Sequence, residues 1–193
     1  MSKVIYIDNG HGQGNGNASP DGKIKEYRLA RVLAHGIVSG LCKAGIDARL
    51  LVPEETNISL GERVRRVNAL CSKIGSSNVT VVSIHLNAAG NGKTWRAAKG
   101  FLVLVSPSAS AASKRLATIH YEEAVARGLK GNRQQGPYVR KSLTILNDTR
   151  CPAILTESGF MDNREDAAFL LTKEGQQTVI EMHIQAILKY LSQ

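Results

Sequence analysis

The sequence lacks the features that mark several special classes of protein. It has three cysteines (Cys42, Cys71 and Cys151), a small and odd number that excludes a disulfide scaffold and is typical of reduced thiols made in a cytosol. It has no apolar run near the roughly 18 residues of a membrane span, so we expect no membrane-spanning segment. Residues 1–8 lack the apolar stretch of about 7–15 residues found in a secretory signal, so we expect synthesis in the cytoplasm.

Aromatic residues are also scarce, at 5% of the chain, and they are not interleaved with basic residues as in proteins that bind single-stranded nucleic acid. The chain nevertheless has a net charge of +9, from 25 basic and 16 acidic residues. We interpret this charge as attraction to an anionic membrane or an anionic polymer, with no nucleic-acid partner. The length of 193 residues and ordinary proportions of hydrophobic (42%) and charged (21%) residues indicate a single domain over residues 1–193.

Apolar segments of strand length alternate with amphipathic helical segments along the chain. We predict strands over 4–7, 46–52, 79–84, 100–105, 143–146 and 153–156, and helices over 25–44, from about Leu60, over 108–129, after a cap at Asp162 or Asn163, and over 174–192. The last helix is predicted to turn Ile180, Ile184, Ile187, Leu188 and Leu191 to the core. This alternation predicts an α/β fold, a single domain with a mostly parallel six-stranded sheet flanked by helices on both faces.

Ionisable residues stand where the predicted strands end, which is where ligands bind in folds of this kind. His11 follows the first strand, His85 closes the third and Glu157 closes the last. Glu26 lies three residues before Leu29 and therefore shares the apolar face of its helix. A carboxylate buried there is costly unless it is paired or coordinates a metal. Two histidines and one glutamate form a known catalytic zinc set, with a fourth position left for water.

Each of these residues also has a structural interpretation when taken alone. Glu26 could be a carboxylate favoured by the dipole at a helix N-terminus. His85 could be a hydrogen-bonded core histidine, and Glu157 could pair with one of the arginines. Together they favour a metal site, because a second glutamate beside three ligands supplies the base that such a site needs.

Five sequence blocks occur in an order that carries a resemblance over essentially the whole chain. They are Asp8-Asn9-Gly10-His11-Gly12, Glu26 with a helix ending in Lys43-Ala44-Gly45, Leu60-Gly61-Glu62-Arg63 with Asn68, Ser83-Ile84-His85-Leu86-Asn87-Ala88, and residues 152–163. In these blocks the chain resembles zinc-dependent N-acetylmuramoyl-L-alanine amidases of the amidase-3 type. It departs from that family at Asn9, where a proline is usual, which leaves the loop before His11 less rigid.

The resemblance implies one Zn²⁺ ion, with His11, Glu26 and His85 as its ligands and Glu157 as the catalytic acid and base. It implies hydrolysis of the amide between the lactyl group of muramic acid and the L-alanine of the peptidoglycan stem. Substrate contacts are predicted for three further residues, Asn87, Arg63 and Asn163. Asn87 is equally well interpreted as a turn residue. Arg63, with its neighbours Arg65 and Arg66, is also typical of a solvated helix face.

Peptidoglycan is the expected partner, and we expect a monomer. The chain lacks the long insert before Leu143 that carries an inhibitory helix in some family members, so we expect no activator protein. Without a secretory signal, the enzyme is expected to reach the wall after lysis, as a phage-type endolysin, or by non-standard export, as an autolysin. Two alternatives remain open, namely a zinc hydrolase with another amide substrate and an inactive wall-binding module.

Overall fold

A six-stranded sheet in the order β2-β1-β3-β6-β4-β5 runs through the computed structural model, which describes residues 3–133 and 136–193. Residues 1 and 2, at the start of the segment considered for a secretory signal, lie outside the described part. The strands are β1 (Val4–Asn9), β2 (Asp47–Leu50), β3 (Val79–Asn87), β4 (Phe101–Val105), β5 (Val139–Arg140) and β6 (Ala153–Phe160). All neighbours are parallel except β4 and β6, which pair antiparallel. The predicted mostly parallel α/β sheet is confirmed.

Helices cover the sheet on both faces, as predicted. Helices α1 (Glu26–Lys43), α3 (Ala111–Ala126) and α6 (Lys173–Leu191) pack on one face, which we call the three-helix face. Helices α2 (Leu60–Ile74) and α4 (Thr144–Asn147) pack on the other, which we call the cleft face. Helix α5 (Arg164–Leu171) packs against α6 and β6. None of the described helices combines the length and apolar content needed to cross a lipid bilayer.

Local capping residues mark the helix ends. Ser59 caps α2, and its hydroxyl accepts a hydrogen bond from the Glu62 backbone N–H at 3.3 Å. Gly45, after α1, has φ +79°, a left-handed conformation that glycine adopts without strain. Of the two candidate caps before α5, Asn163 is the one used.

The predicted strand over 143–146 is wrong, because these residues enter the short helix α4. The backbone N–H groups of Leu146 and Asn147 both donate to the Leu143 carbonyl oxygen, which closes a helical turn. The sixth strand is instead β5, Val139–Arg140. A four-residue apolar run is compatible with either structure, and here Ile145 and Leu146 are apolar because they are buried in the core beneath α2.

The predicted core face of the last helix is only partly correct. Ile187 is buried, whereas Ile180, Ile184, Leu188 and Leu191 are half-buried. The deepest stripe instead comprises Val179, Met182, His183, Ala186, Ile187 and Tyr190. The half-buried isoleucines pack on α1, where a Cβ at Gly36 would lie 2.5 Å from Ile180 Cδ1. Periodicity therefore located the helix–helix contact better than the face toward the sheet.

Candidate metal centre and active-site cleft

Four sequence-predicted residues converge at the carboxyl edge of the central strands. His11 follows β1, Glu26 is the first residue of α1, His85 lies on β3 and Glu157 lies on β6. His85 and Glu157 are directly opposite each other in the parallel pairing of β3 with β6. Because parallel strands end at a common edge, residues far apart in sequence meet here.

His11, Glu26 and His85 offer three ligand atoms that lie within 4.8 Å of one another. Glu26 Oε1 is 3.1 Å from His11 Nε2 and 3.1 Å from His85 Nδ1. The two imidazole rings meet edge to face, with centroids 4.9 Å apart. Ligands bound tetrahedrally at about 2.0–2.1 Å from an ion stand about 3.3 Å apart, so this cluster has the dimensions of a metal site.

The buried Glu26 carboxylate is stabilised as an anion. Its Oε1 also accepts from the Leu86 N–H, and its Oε2 accepts from the Asn17 N–H at 3.2 Å. Burial alone would raise the pKa of Glu26, but the hydrogen bonds from His11 and His85 outweigh burial and lower it to about 2. Burial acts to lower the pKa of His85, and the hydrogen bond to Glu26 with the surrounding carboxylates raises it instead.

Glu157 is not held in this way. Its Oε2 atom is buried and has no hydrogen-bond partner among the described residues. Burial raises the pKa of the Glu157 carboxyl to about 7, against the opposing charge of His85. A carboxyl group whose pKa is near 7, and one of whose oxygens accepts no hydrogen bond, is suited to accept and release a proton.

The loop that carries His11 is unusually tight. His11 has φ +61° and is the one non-glycine residue in the described part of the chain with positive φ. A Cβ at Gly10 would lie 2.5 Å from the His85 ring, and one at Gly12 would lie 2.2 Å from Asn57 Cα. The two glycines therefore allow the ligand loop to lie directly against the second histidine and the loop before α2.

A cleft of about 420 Å³ opens beside the metal ligands on the cleft face. Asp8, His11, His85 and Leu155 line it on the side of the sheet, with Arg63 and Asn15. Its two other walls are residues 57–60 at the start of α2 and residues 142–145 at the start of α4. Sequence reasoning missed both walls, because neither segment carries a titratable group.

Arg63 is not on a solvated face, and that interpretation is wrong. It is 2% exposed and shares a buried stripe with Val67 and Cys71, spaced four residues apart on α2. This spacing was a usable signal of burial. Arg65 is exposed and pairs with Glu62, as expected for a solvated residue.

Asp8 is the partner that sequence reasoning missed. It is 2% exposed, pairs with Arg63 and accepts a hydrogen bond from the Ser83 hydroxyl at 2.6 Å. The signal was available, since Asp8 ends a buried strand just as His85 stands near the end of another. The pair joins β1, β3 and α2 beneath the metal cluster.

The other two predicted substrate contacts have local structural partners. Asn163 Oδ1 accepts from the Glu165 and Asp166 N–H groups, and its Nδ2 donates to the Arg96 carbonyl. Asn87 Oδ1 accepts from the Ala88 N–H at 2.8 Å. Substrate binding by these residues stays a prediction. The neighbouring Asp162 is fully buried and accepts from the Ala89 and Gly90 N–H groups, which anchors the segment after β3.

The fold is α/β, and a His–Glu–His cluster with an adjacent carboxyl group lies at the carboxyl edge of its central strands. The Amidase_3 family, N-acetylmuramoyl-L-alanine amidase, matches residues 5–189 of the chain. The chain belongs to this family, and it is an amide hydrolase. The resemblance stated from the five sequence blocks is therefore confirmed.

Individual relatives agree with this assignment. An endolysin of Bacillus phage SPP1 is 28% identical over 193 residues, which cover 100% of this chain and 67% of that protein. The chain thus spans about two thirds of that relative's length. The crystal structure of an N-acetylmuramoyl-L-alanine amidase from Clostridium difficile 630 superposes with a TM-score of 0.83 at 26% identity, covering 99% of this chain and 97% of that one. The CwlD amidase of Clostridioides difficile, solved in complex with the GerS lipoprotein, shares the fold, with a TM-score of 0.82 at 22% identity, covering 99% of both chains.

Proposed function

We propose that this chain hydrolyses the amide between the lactyl group of muramic acid and the L-alanine of the peptidoglycan stem, using one Zn²⁺ ion. The observation that carries the proposal is the meeting of His11, Glu26 and His85 at one point, with Glu157 opposite His85 on the next strand. The two histidines line an open cleft. Family membership supports the bond that is cut.

The donor set favours zinc over other metals. Two imidazole nitrogens and one carboxylate oxygen are a catalytic zinc set that leaves a fourth position open. Magnesium and calcium prefer oxygen ligands, which this cluster does not supply in sufficient number. When bound, zinc supplies a water whose pKa is about 7 and polarises the amide carbonyl group.

Glu157 is assigned the proton transfers. Its carboxylate accepts the proton of the attacking water and passes that proton to the departing amine of L-alanine. Both transfers require a carboxyl group whose pKa lies near that of the groups with which it exchanges the proton. Burial raises the pKa of Glu157 to about 7, which supports this role. Its unpartnered Oε2 allows the proton to move without first breaking a hydrogen bond.

The cleft is assigned to the stem and its attachment point on the glycan. Its walls combine apolar side chains, such as Leu60 and Leu143, with amide and hydroxyl groups, such as Asn57 and Thr144. A peptide needs both kinds of contact, because its backbone must be hydrogen-bonded while its methyl groups are buried. Asn87 remains a proposed substrate contact, since it follows His85 by two residues at the same edge.

Cellular role, activator and oligomeric state form one further part of the proposal. The phage endolysin relative supports a wall-lysing enzyme made in the cytoplasm. The cleft reaches His11 and His85 as the chain stands, which supports activity as a monomer without an activator. The CwlD amidase was solved with a lipoprotein partner, so independence from partners requires its own test.

The decisive experiment is mass spectrometry of products from purified peptidoglycan treated with the enzyme, with and without a zinc chelator. We expect stem peptides with a free L-alanine amine, lost with chelator and restored by added zinc. Cut glycan strands or internally cleaved stems would contradict the assigned bond. Absence of products would favour another amide substrate if the protein retains zinc, and a binding module if it does not.

The partner question is settled by the same assay on a single purified species. Size-exclusion chromatography with light scattering is expected to give a mass near 20.8 kDa, and that fraction is expected to be active. Activity that appears only after a second protein is added would contradict independence from an activator.

A further inference from the structure

We propose that Arg63 is a positioning residue that fixes the backbone of the metal ligand His11, and not a substrate contact. The inference rests on the proposed metal centre. It begins from the strained backbone of His11, whose φ of +61° is sparsely populated for residues with a side chain. Glycines flank His11 on both sides, so the loop has little conformational preference of its own. Another group must therefore hold the loop in place.

The Arg63 guanidinium group supplies that support from α2. Its Nη2 donates to the His11 carbonyl oxygen at 2.8 Å, and its Nη1 donates to the Asn9 carbonyl oxygen at 2.9 Å. Its Nε donates to the Ile58 carbonyl oxygen at 3.0 Å. One buried side chain thus holds the residue before the loop, the strained ligand and the loop before α2.

The charge of Arg63 is balanced within the same network. Its Nη1 also donates to Asp8 Oδ1, and the other oxygen of Asp8 accepts from the Ser83 hydroxyl. Ser83 lies on β3 two residues before His85. Arg63 and Asp8 therefore connect the backbone segments that carry the two histidine ligands, and they set the distance between them.

This arrangement requires arginine and not merely a positive charge. A guanidinium group presents five N–H donors in a rigid plane, which lets it reach acceptors on several sides at once. A lysine ammonium group is a single point on a flexible stem and cannot occupy the Nη1, Nη2 and Nε positions together. Three carbonyl oxygens and the Asp8 carboxylate accept from four of the five N–H donors of Arg63 without any substrate group.

The test is Arg63→Lys, with Arg66→Lys as the matched control on the same helix. Arg66 is half-buried, pairs with Glu54 and Glu62, and makes no contact with the metal cluster. The zinc Kd of each metal-free protein is measured by competition with a chromophoric chelator, beside its thermal unfolding in excess chelator. Groups that orient metal ligands typically contribute 10- to 100-fold in affinity, so we expect the Kd to rise about 10- to 100-fold in Arg63→Lys. The control should stay within about twofold of wild type.

The visible spectrum of the Co²⁺-substituted protein provides a second readout that a merely structural role would not change. We expect its ligand-field bands to shift in Arg63→Lys and not in Arg66→Lys, because His11 would approach the ion differently. If Arg63→Lys does not fold, Asp8→Asn weakens the same network from its other end and should raise the Kd by a smaller factor.

The outcomes separate this inference from the proposed function. An unchanged zinc Kd and spectrum in Arg63→Lys, with a raised KM for peptidoglycan fragments, would make Arg63 a substrate contact. An unchanged Kd with a lowered unfolding temperature would make it a structural residue only. Wild-type protein that binds no zinc would instead overturn the metal centre itself, and this inference with it.

Discussion

The two faces of the sheet bury polar side chains in opposite ways. On the cleft face, Asp8 and Arg63 are buried as a charged pair. At the carboxyl edge of the sheet, Glu26, the first residue of α1, is a carboxylate stabilised by hydrogen bonds. On the three-helix face, the buried titratable groups His120 and His183 are neutral. A charge can be buried only where opposite charge or hydrogen bonds compensate for lost hydration.

The neutral histidines show how the three-helix face avoids charge. His183 Nδ1 donates to the Val179 carbonyl oxygen at 2.8 Å, and its Nε2 accepts from the Thr156 hydroxyl at 2.9 Å. Burial lowers the pKa of His183 to about 4. Burial, followed by repulsion from His183 once that ring is protonated, lowers the pKa of His120 to about 3. The comparison teaches that one face buries its titratable groups in the neutral form, whereas the other buries charged groups next to the residues to which we assign the proposed chemistry.

The largest expected effect removes the proposed chemistry of the cleft face without destabilising the fold. Glu157→Gln should lower turnover by about 100- to 10,000-fold, because positioned acid–base catalysis contributes that much. It should keep one zinc per chain, since Glu157 is not a ligand in the proposed scheme. Its unfolding temperature near pH 7 should equal or exceed that of the wild type, because glutamine removes the cost of ionising a buried carboxyl group whose pKa is raised. Turnover, zinc content and thermal unfolding are measured on the same preparation. Loss of zinc from the variant would mean that the ligand and base are misassigned.

The next largest effect destabilises the packing on the three-helix face and leaves zinc binding unchanged. Leu33 on α1 is fully buried, and Leu33→Ala should reduce the free energy of unfolding by about 2–5 kcal/mol through the cavity it leaves. Val32, its neighbour, is 51% exposed, so Val32→Ala should change it by less than about 0.5 kcal/mol. Urea unfolding measures both. Zinc stoichiometry should be unchanged in the folded variants, and equal losses in the two would contradict the assigned packing.

A smaller effect is the pH dependence of stability, which tests whether a buried histidine of the three-helix face is neutral. The folded-state pKa of His120 is about 3, below the ordinary value of 6.5, so the unfolded chain binds one more proton between these values. Its contribution to stability is therefore complete above about pH 6.5 and is lost as the pH falls toward 3, by up to about 1.4 kcal/mol per pH unit. Urea unfolding of the metal-free protein from pH 7 to 5 should show a shallower pH dependence in His120→Leu. Identical slopes would show that His120 takes up its proton over the same pH range in the folded protein and in the unfolded chain.

The smallest effect concerns an exception on the three-helix side. Asn9 is 1% exposed, and neither polar atom of its side chain has a partner among the described residues. By strand alternation it shares the face of Ile5 and Ile7. Asn9→Leu, with the same branching, should raise the free energy of unfolding by about 1 kcal/mol, whereas Asn9→Asp should lower it. Chemical denaturation decides, and destabilisation by both variants would indicate that the amide group is hydrogen-bonded in solution.

Much of this site was predictable because its chemistry stands out against apolar surroundings. His11, Glu26, His85 and Glu157 each interrupt or end a segment whose periodicity demands burial. Buried polar residues are costly, so their positions are informative without any knowledge of their neighbours. The sheet was also predictable, because continuous apolar strands separated by amphipathic helices are compatible with few folds other than a mostly parallel sheet covered by helices.

The remaining features depended on partners that are distant in sequence. The segment over 143–146 became a helix because the space beneath α2 was available to it, and a run of four apolar residues carries no period that excludes this. Arg63 was interpreted as solvated because the acceptors of its hydrogen bonds include Asp8, which is 55 residues away. Charged residues that are neighbours in sequence usually lie on the surface. Oppositely charged residues that are distant in sequence can be buried together when the fold pairs them.

The sequence by itself determined which side chains could perform the chemistry, the class of fold and the family. Those properties follow from residue type and local period, which each segment carries independently of the others. Only the tertiary structure decided which groups pair with Arg63, that two loops form the walls of the cleft and that Glu157 Oε2 has no hydrogen-bond partner among the described residues. These properties arise from contacts between separate elements, and the energy of such a contact depends on both members of the pair and on how far both are removed from water.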